Sequence, residues 1–216
     1  MMSQPAGHRP HDFIDSGHSP RRPQSAGEGA ARADNAAGPD GIEFEVRRAR
    51  TSDVKTIRRL VEPLAEDRIL LGKDAVSYFE GLQEFKIVTA GPTRAVAGNG
   101  GGETVACGAL HVLWEDLAEV RTVATDARWR GRGIGRRLIE SLLADAADLG
   151  VRRVFCLTFE VSFFTGLGFT PIDGAPVEPD VYAELLRSHD EGVAEFLDLA
   201  RVKPNTLGNT RMLKIL

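Results

Sequence analysis

The 216-residue chain carries 27 Lys and Arg against 31 Asp and Glu, a net charge of −4, and 42% of it is hydrophobic. That balance excludes the basic excess of a nucleic-acid-binding protein, and a chain of this length buries a core without disulfides or metal. The two cysteines, Cys107 and Cys156, sit in apolar runs and read as buried reduced thiols; no Cys/His cluster has metal-ligand spacing, and no apolar run is long enough to span a bilayer.

Residues 1–41 are rich in Ala, Gly, Pro, Ser, His and Arg, with Phe13 and Ile14 almost the only large apolar side chains. Such a stretch buries too little surface to offset its ordering entropy, so a disordered tail is expected, with His8, His11 and His18 solvated in it. It has arginines but no apolar h-region, which argues against a secretory signal and for the cytoplasm. From Ile42 the texture changes, and residues 42–216 read as one domain. Residues 43–50 alternate as a first strand, and Thr51, Ser52 and Asp53 offer caps to a helix bearing Val54, Ile57, Leu60, Val61 and Leu64. Asp74 caps a second helix carrying Val76, Phe79 and Leu82. Residues 85–90 form a second strand and 91–103 a glycine-rich connection. Residues 104–114 and 117–124 are the third and fourth strands, joined by a turn at Glu115 and Asp116. Ile134, Leu138, Ile139, Leu142, Leu143 and Ala146 make one apolar stripe on a helix ending at Gly150. A fifth strand at 151–158, a short helix at 161–167, a strand opened by Gly168 and Phe169, a helix at 180–188 and strand-like segments at 193–202 and 211–216 complete the order. The whole is an α/β domain, a mixed central sheet with helices on both faces.

The junction after the fourth strand carries the chemistry. Arg130-Gly131-Arg132-Gly133-Ile134-Gly135 leads directly into a helix, with Arg136 in its first turn. Glycines let the backbone turn its N–H groups inward, and a helix start offers unpaired donors and partial positive charge. Three arginines add formal charge, so the turn suits a diphosphate. It lacks the Gly-Lys-Ser/Thr of a P-loop and the Gly-x-Gly-x-x-Gly of a dinucleotide turn.

This arrangement resembles motif A of the GNAT superfamily of N-acetyltransferases, a strand followed by Arg/Gln-x-x-Gly-x-Gly/Ala at a helix start, here Arg130 to Gly135 after Val123-Ala124-Thr125. Phe163-Phe164-Thr165-Gly166-Leu167-Gly168-Phe169 looks like motif B, usually Tyr-x-x-x-Gly-Phe. The resemblance implies acetyl-CoA as acetyl donor and no metal. It also implies a sheet splayed between the fourth and fifth strands, with the pantetheine arm hydrogen-bonded along Val123, Ala124 and Thr125 and the pyrophosphate on Arg130, Gly131, Arg132, Gly133, Ile134, Gly135 and Arg136. The motif B tyrosine that protonates the departing thiolate is replaced by Phe164, so Ser162, Thr158 or water serves instead, or the thiolate leaves unassisted.

Within that superfamily the chain resembles the short, kinase-domain-free N-acetylglutamate synthases of actinobacteria. The resemblance rests on Ile69-Leu70-Leu71-Gly72-Lys73, Cys107-Gly108-Ala109-Leu110-His111, Glu119 to Ala124, Val193 to Leu199 and Val202 to Met212. It implies transfer of acetyl to the α-amino group of L-glutamate, the entry step of arginine biosynthesis. Acetylating an ammonium requires a base, and Glu119 on the fourth strand is the candidate, acting through a water; its plain alternative is a surface carboxylate paired with Arg121. A dicarboxylic substrate needs cations, for which Lys73, Arg211 and Arg121 are the candidates in that order, while His111 and His189 read as structural or surface residues. Two alternatives stay open: an enzyme for glutamine or another small amine, and a GNAT-shaped sensor that binds acetyl-CoA or arginine without turnover. The expected partner is a small-molecule acceptor, with neither nucleic acid nor membrane; a homo-oligomer is left open, since the sequence does not report oligomeric state.

Overall fold

Phe44 and Val46 alternate with charged neighbours, so one face of their strand is buried and the other wet, the pattern that an edge-proximal antiparallel strand requires. The computed structural model describes residues 36–37, 42–91, 102–175, 177–190, 193–194, 197 and 208–216. The strands are β1 (Ala36–Ala37), β2 (Glu43–Arg48), β3 (Phe85–Ala90), β4 (Glu103–Trp114), β5 (Leu117–Thr125), β6 (Arg153–Thr158), β7 (Thr170–Pro171) and β8 (Thr210–Ile215). The helices are α1 (Val54–Glu66), α2 (Ala75–Glu80), α3 (Ile134–Asp148), α4 (Val161–Thr165) and α5 (Pro179–Leu185).

The strands form one sheet in the order β1-β2-β3-β4-β5-β6-β8-β7, antiparallel except for the β5–β6 pair. β1 pairs with the start of β2 and lies inside the stretch whose composition predicts a tail; a compositional average does not register a two-residue pairing. The remainder of that stretch, like most of the glycine-rich connection, lies outside the described residues. α3 covers one face with Ile134, Leu138, Ile139, Leu142 and Ala146, packed against Val88, Leu110 and Val120. α1 covers the other with Val54, Ile57, Leu60 and Val61 on Ile87, Cys107 and Ala109. Both cysteines are buried and unbridged, and burial pushes each thiol far up. A third cluster, Leu113, Leu117 and Phe155 with Leu185, Val193 and Leu197, seats the segment after α5 on the sheet.

That last segment departs from expectation. Val193 and Ala194 are helical rather than strand-like, with Ala194 N bonded to Asp190 O at 3.1 Å and Leu197 N to Val193 O at 3.0 Å. The reason is spacing: Val193, Ala194 and Leu197 fall at i, i+1 and i+4, so a helical turn buries all three where a strand would split them between faces. The strand after Phe169 is likewise only Thr170–Pro171. On α2, Tyr78 is the buried residue, whereas Val76 and Phe79 are exposed.

Two features of β5 shape the site. Among the described residues it pairs with β6 only at Leu117, Ala118 and Glu119, and from Val120 onward its edge has no strand beside it. This is the splay expected between the fourth and fifth strands, which are β5 and β6 once Ala36–Ala37 is counted. The register with β4 also slips: Arg121 faces Ala109 but Ala124 faces Cys107, which inserts one extra residue into β5. Thr122 absorbs it at φ 55°, a left-handed conformation costly for a β-branched residue, of the kind that clusters where function holds a backbone under strain.

Candidate active site

The anion turn is built as its sequence predicts. Asp126 caps a short 3-10 turn, Ala127–Trp129, and the chain then passes through Gly131 (φ 76°) and Gly133 (φ 78°) into α3. Both glycines need left-handed backbone, and nothing lies within 4 Å of where their Cβ atoms would be, so the turn opens onto free space. The intrahelical bonds begin with Arg137 N on Gly133 O at 3.1 Å, leaving the earlier N–H groups of the first turn to point outward. Arg130 is exposed, Arg132 lies over the Trp129 ring at 5.2 Å, and Arg136 donates to Gly166 O at 3.0 Å, tying motif A to motif B. Next to the turn runs the unpaired edge of β5, which holds Val123, Ala124 and Thr125. Donors, charge and an open strand edge together fit a pantetheine diphosphate. Phe164 packs edge-to-face on Phe163 and Phe169, both at 5.2 Å, and is 6% exposed, so a core position occupies the place of the expected acid. Thr158 Oγ1 accepts from Glu160 N at 2.9 Å, and Ser162 is exposed.

The second half of the site lies on the other sheet face. Cross-strand register pairs His111 with Glu119 and Ala109 with Arg121, which puts Glu119 and Arg121 on the α1 side. Alternation from the Glu119–Phe155 pair through Leu157 to its β8 partner brings Arg211 to the same face. Lys73, in the loop before α2, lines both a cleft of about 530 Å³ and a narrower crevice of about 60 Å³ that reaches Glu119. Lys73 is half-buried and makes no hydrogen bond or ion pair among the described residues. Burial lowers its pKa, and the nearby Arg121 pushes the same way.

Glu119 is 4% exposed. Burial pushes its carboxyl up to about 7 against the opposing pull of Arg121. Its Oε2 has no hydrogen-bond partner among the described residues; Arg121 Nη1 stands 3.8 Å away, close enough for Coulomb attraction and too far for a bond. Arg121, expected as a substrate cation, is already engaged. Its Nη1 donates to both Asp190 oxygens at 2.9 Å, and its Nη2 donates to Glu84 Oε2 at 2.8 Å. His111 Nδ1 meets Glu84 Oε1 at 2.7 Å, so this histidine belongs to the cleft rather than to the plain surface. Burial raises Glu84 and Asp190, but His111 and Arg121 outweigh it on Glu84, as Arg121 does on Asp190, and both stay below the usual carboxylate range. Glu84 and Asp190 escape a reading of the sequence because each looks like an ordinary surface acid; only the helical spacing after Asp190 hints that it caps a turn. His189 also lines the cleft and is exposed.

A model of the acetyltransferase (GNAT) family matches residues 66–169. The amino-acid acetyltransferase of Mycobacterium tuberculosis is 53% identical over 171 residues, covering 79% of this chain and 94% of that protein. The amino-acid acetyltransferase of Salmonella typhi is 29% identical over 131 residues, of which this chain spans only 27% of the length. Among solved structures, Rv2747 from Mycobacterium tuberculosis, in complex with CoA and NLQ, matches with a TM-score of 0.71 and 53% identity over 79% of this chain and 98% of its own. The N-acetylglutamate synthase of Neisseria gonorrhoeae shares the fold, with a TM-score of 0.60 at 20% identity over 80% of this chain and 35% of its own.

Proposed function

The chain belongs to the GNAT acetyltransferase family and is an acetyl-CoA-dependent N-acetyltransferase; on that premise we propose that its acceptor is the α-amino group of L-glutamate, in the first step of arginine biosynthesis. One observation carries the reading: a half-buried lysine without a partner among the described residues, Lys73, shares a crevice with a buried carboxylate, Glu119, whose Oε2 is unbonded. The name of the Mycobacterium tuberculosis relative, an amino-acid acetyltransferase, supports an amino acid as acceptor.

When bound, acetyl-CoA supplies an activated thioester. The N–H groups of the α3 first turn, with Arg130, Arg132 and Arg136, hold its diphosphate, and Gly131 and Gly133 keep the approach clear. The open edge of β5 at Val123, Ala124 and Thr125 takes the pantetheine amides as an added strand, and the Val123 backbone polarises the acetyl carbonyl. Lys73 binds a substrate carboxylate, and Arg211 reinforces it from β8. Glu119, through a water, takes the proton from the substrate ammonium, for which a pKa of about 7 suits it near neutral pH. Phe164 has no proton to give, so the CoA thiolate takes its proton from Ser162, Thr158 or water, or leaves unassisted.

A second reading, L-glutamine as acceptor, is favoured by one observation: Asp74, Glu80, Glu84 and Asp190 line the larger cleft and oppose a second substrate carboxylate. Thiol release from acetyl-CoA, measured across the twenty amino acids, separates the readings. Glutamate as the preferred acceptor upholds the proposal, glutamine replaces it, and no release with any amino acid overturns both in favour of a different amine acceptor.

A further inference from the structure

We infer that Asp190, together with Glu84, is a positioning residue that holds the Arg121 guanidinium off Glu119 and so leaves that buried carboxylate free to accept a proton. The inference rests on Glu119 being the base. Its ground is geometric. Arg121 and Glu119 are two residues apart on one strand face, so a long guanidinium is within reach of the carboxylate. Here they do not bond. Both Nη atoms donate elsewhere, Nη1 to Asp190 at 2.9 Å from each oxygen and Nη2 to Glu84 at 2.8 Å, while Nη1 stays 3.8 Å from Glu119 Oε2, beyond hydrogen-bond length. Two buried polar atoms, Glu119 Oε2 and Arg121 Nε, are left without partners among the described residues, a costly state that persists only if the surroundings enforce it.

The consequence is chemical. A direct charge-assisted bond from Arg121 stabilises the carboxylate and lowers its proton affinity, which makes a poor base. Drawing the guanidinium onto two other carboxylates reduces that stabilisation to a Coulomb attraction across 3.8 Å, which burial outweighs in raising Glu119. Its surroundings on every side bear on this balance: Arg121 on β5, His111 on β4, Lys73 before α2, Asp190 after α5, and Cys156 on β6, with Arg211 on the same face of β8. Asp190 comes from the segment after α5 whose Val193 and Leu197 pack on Leu113, Leu117 and Phe155, so that segment serves the acid–base chemistry as well as the core.

Asp190→Asn isolates the effect. Asp190 Oδ1 also accepts from Val193 N at 3.1 Å, capping the helical turn, and asparagine caps equally well, so the fold is expected to survive. The variant removes the negative charge that detains Arg121. The acidic limb of kcat/KM against pH is then expected to move down by roughly one unit, the size of shift a newly adjacent opposite charge produces, with a lower plateau because a weaker base accepts a proton less readily. Glu84→Gln, which releases the other Nη, shifts the limb the same way and decides the matter if Asp190→Asn is unstable. A limb abolished in Glu119→Gln yet unmoved in the two detaining variants overturns the positioning role alone. A limb that persists in Glu119→Gln removes the base assignment and the positioning role with it.

Discussion

The two halves of the site are made in opposite ways. The glycine-arginine turn is one contiguous segment, Arg130 to Arg136, in which Arg130, Gly131, Gly133 and Arg136 are exposed. The acid–base and substrate half draws on the loop before α2, the turn before β3, strands β4 and β5, the segment after α5 and β8. In the turn, backbone geometry does most of the work and each arginine adds a screened charge. In the cleft a few half-buried charges act at short range in low dielectric, so each counts for more. A helix start serves any anion, whereas the cleft must place a particular proton on a particular atom.

Substitutions sharpen this contrast, and the largest effect is expected at Glu119. Glu119→Gln lowers kcat by roughly 10²–10⁴ fold with little change in acetyl-CoA affinity. Because burial holds the wild-type carboxyl at about 7, it is protonated and inactive below that pH, and the wild-type rate rises through neutrality. The variant loses that rise, and its deficit shrinks at high pH as the amine deprotonates in solution. A deficit independent of pH, measured from pH 6 to 9, demotes Glu119 to a structural acid.

Gly133→Val comes next. Its φ of 78° is strained for valine, and the branched side chain fills the open space before the helix N–H groups. Acetyl-CoA affinity by calorimetry is expected to fall about a hundredfold, the equivalent of roughly 3 kcal/mol and of one strong charged hydrogen bond. Unaltered affinity rules out this placement of the diphosphate.

Lys73→Ala leaves acetyl-CoA binding alone and raises KM for the amino-acid acceptor by roughly 10–100 fold, the loss of one charge-assisted contact of about 1.5–3 kcal/mol. A normal KM would remove the chief reason for a carboxylate-bearing acceptor. Arg130→Ala is the mildest. Arg130 is exposed, so its loss weakens acetyl-CoA by only about twofold to fivefold, and less in high salt. A large effect there breaks the comparison, because an exposed arginine would then match a half-buried lysine.

Much of the fold was legible in the residues. The stripe Ile134, Leu138, Ile139, Leu142 and Ala146 is the buried face of α3, and the alternation of Phe44 and Val46 is the buried face of β2. Local rules failed where burial came from afar. Val193, Ala194 and Leu197 fall on a helical turn because Leu113, Leu117 and Phe155 are there to receive Val193 and Leu197. On α2 the apolar Val76 and Phe79 stay outside while Tyr78 goes in, since Phe85 meets that face.

What the sequence determined alone was the glycine-arginine turn into α3, because helix start, glycines and arginines are neighbours in the chain and their conformations are local; the splay beyond it was implied by the family resemblance and is a matter of where β5 and β6 part. The sequence also placed Glu119 and Arg121 on one strand face, a matter of period two. Only the tertiary structure decided which charges meet. Arg121 finds Asp190 69 residues away and Glu84 37 residues away, and so turns from a candidate substrate cation into part of a fixed cluster. Burial then lifts Glu119 to about 7. Coulomb energies depend on distance and dielectric, and neither is written in the spacing of residues along a chain.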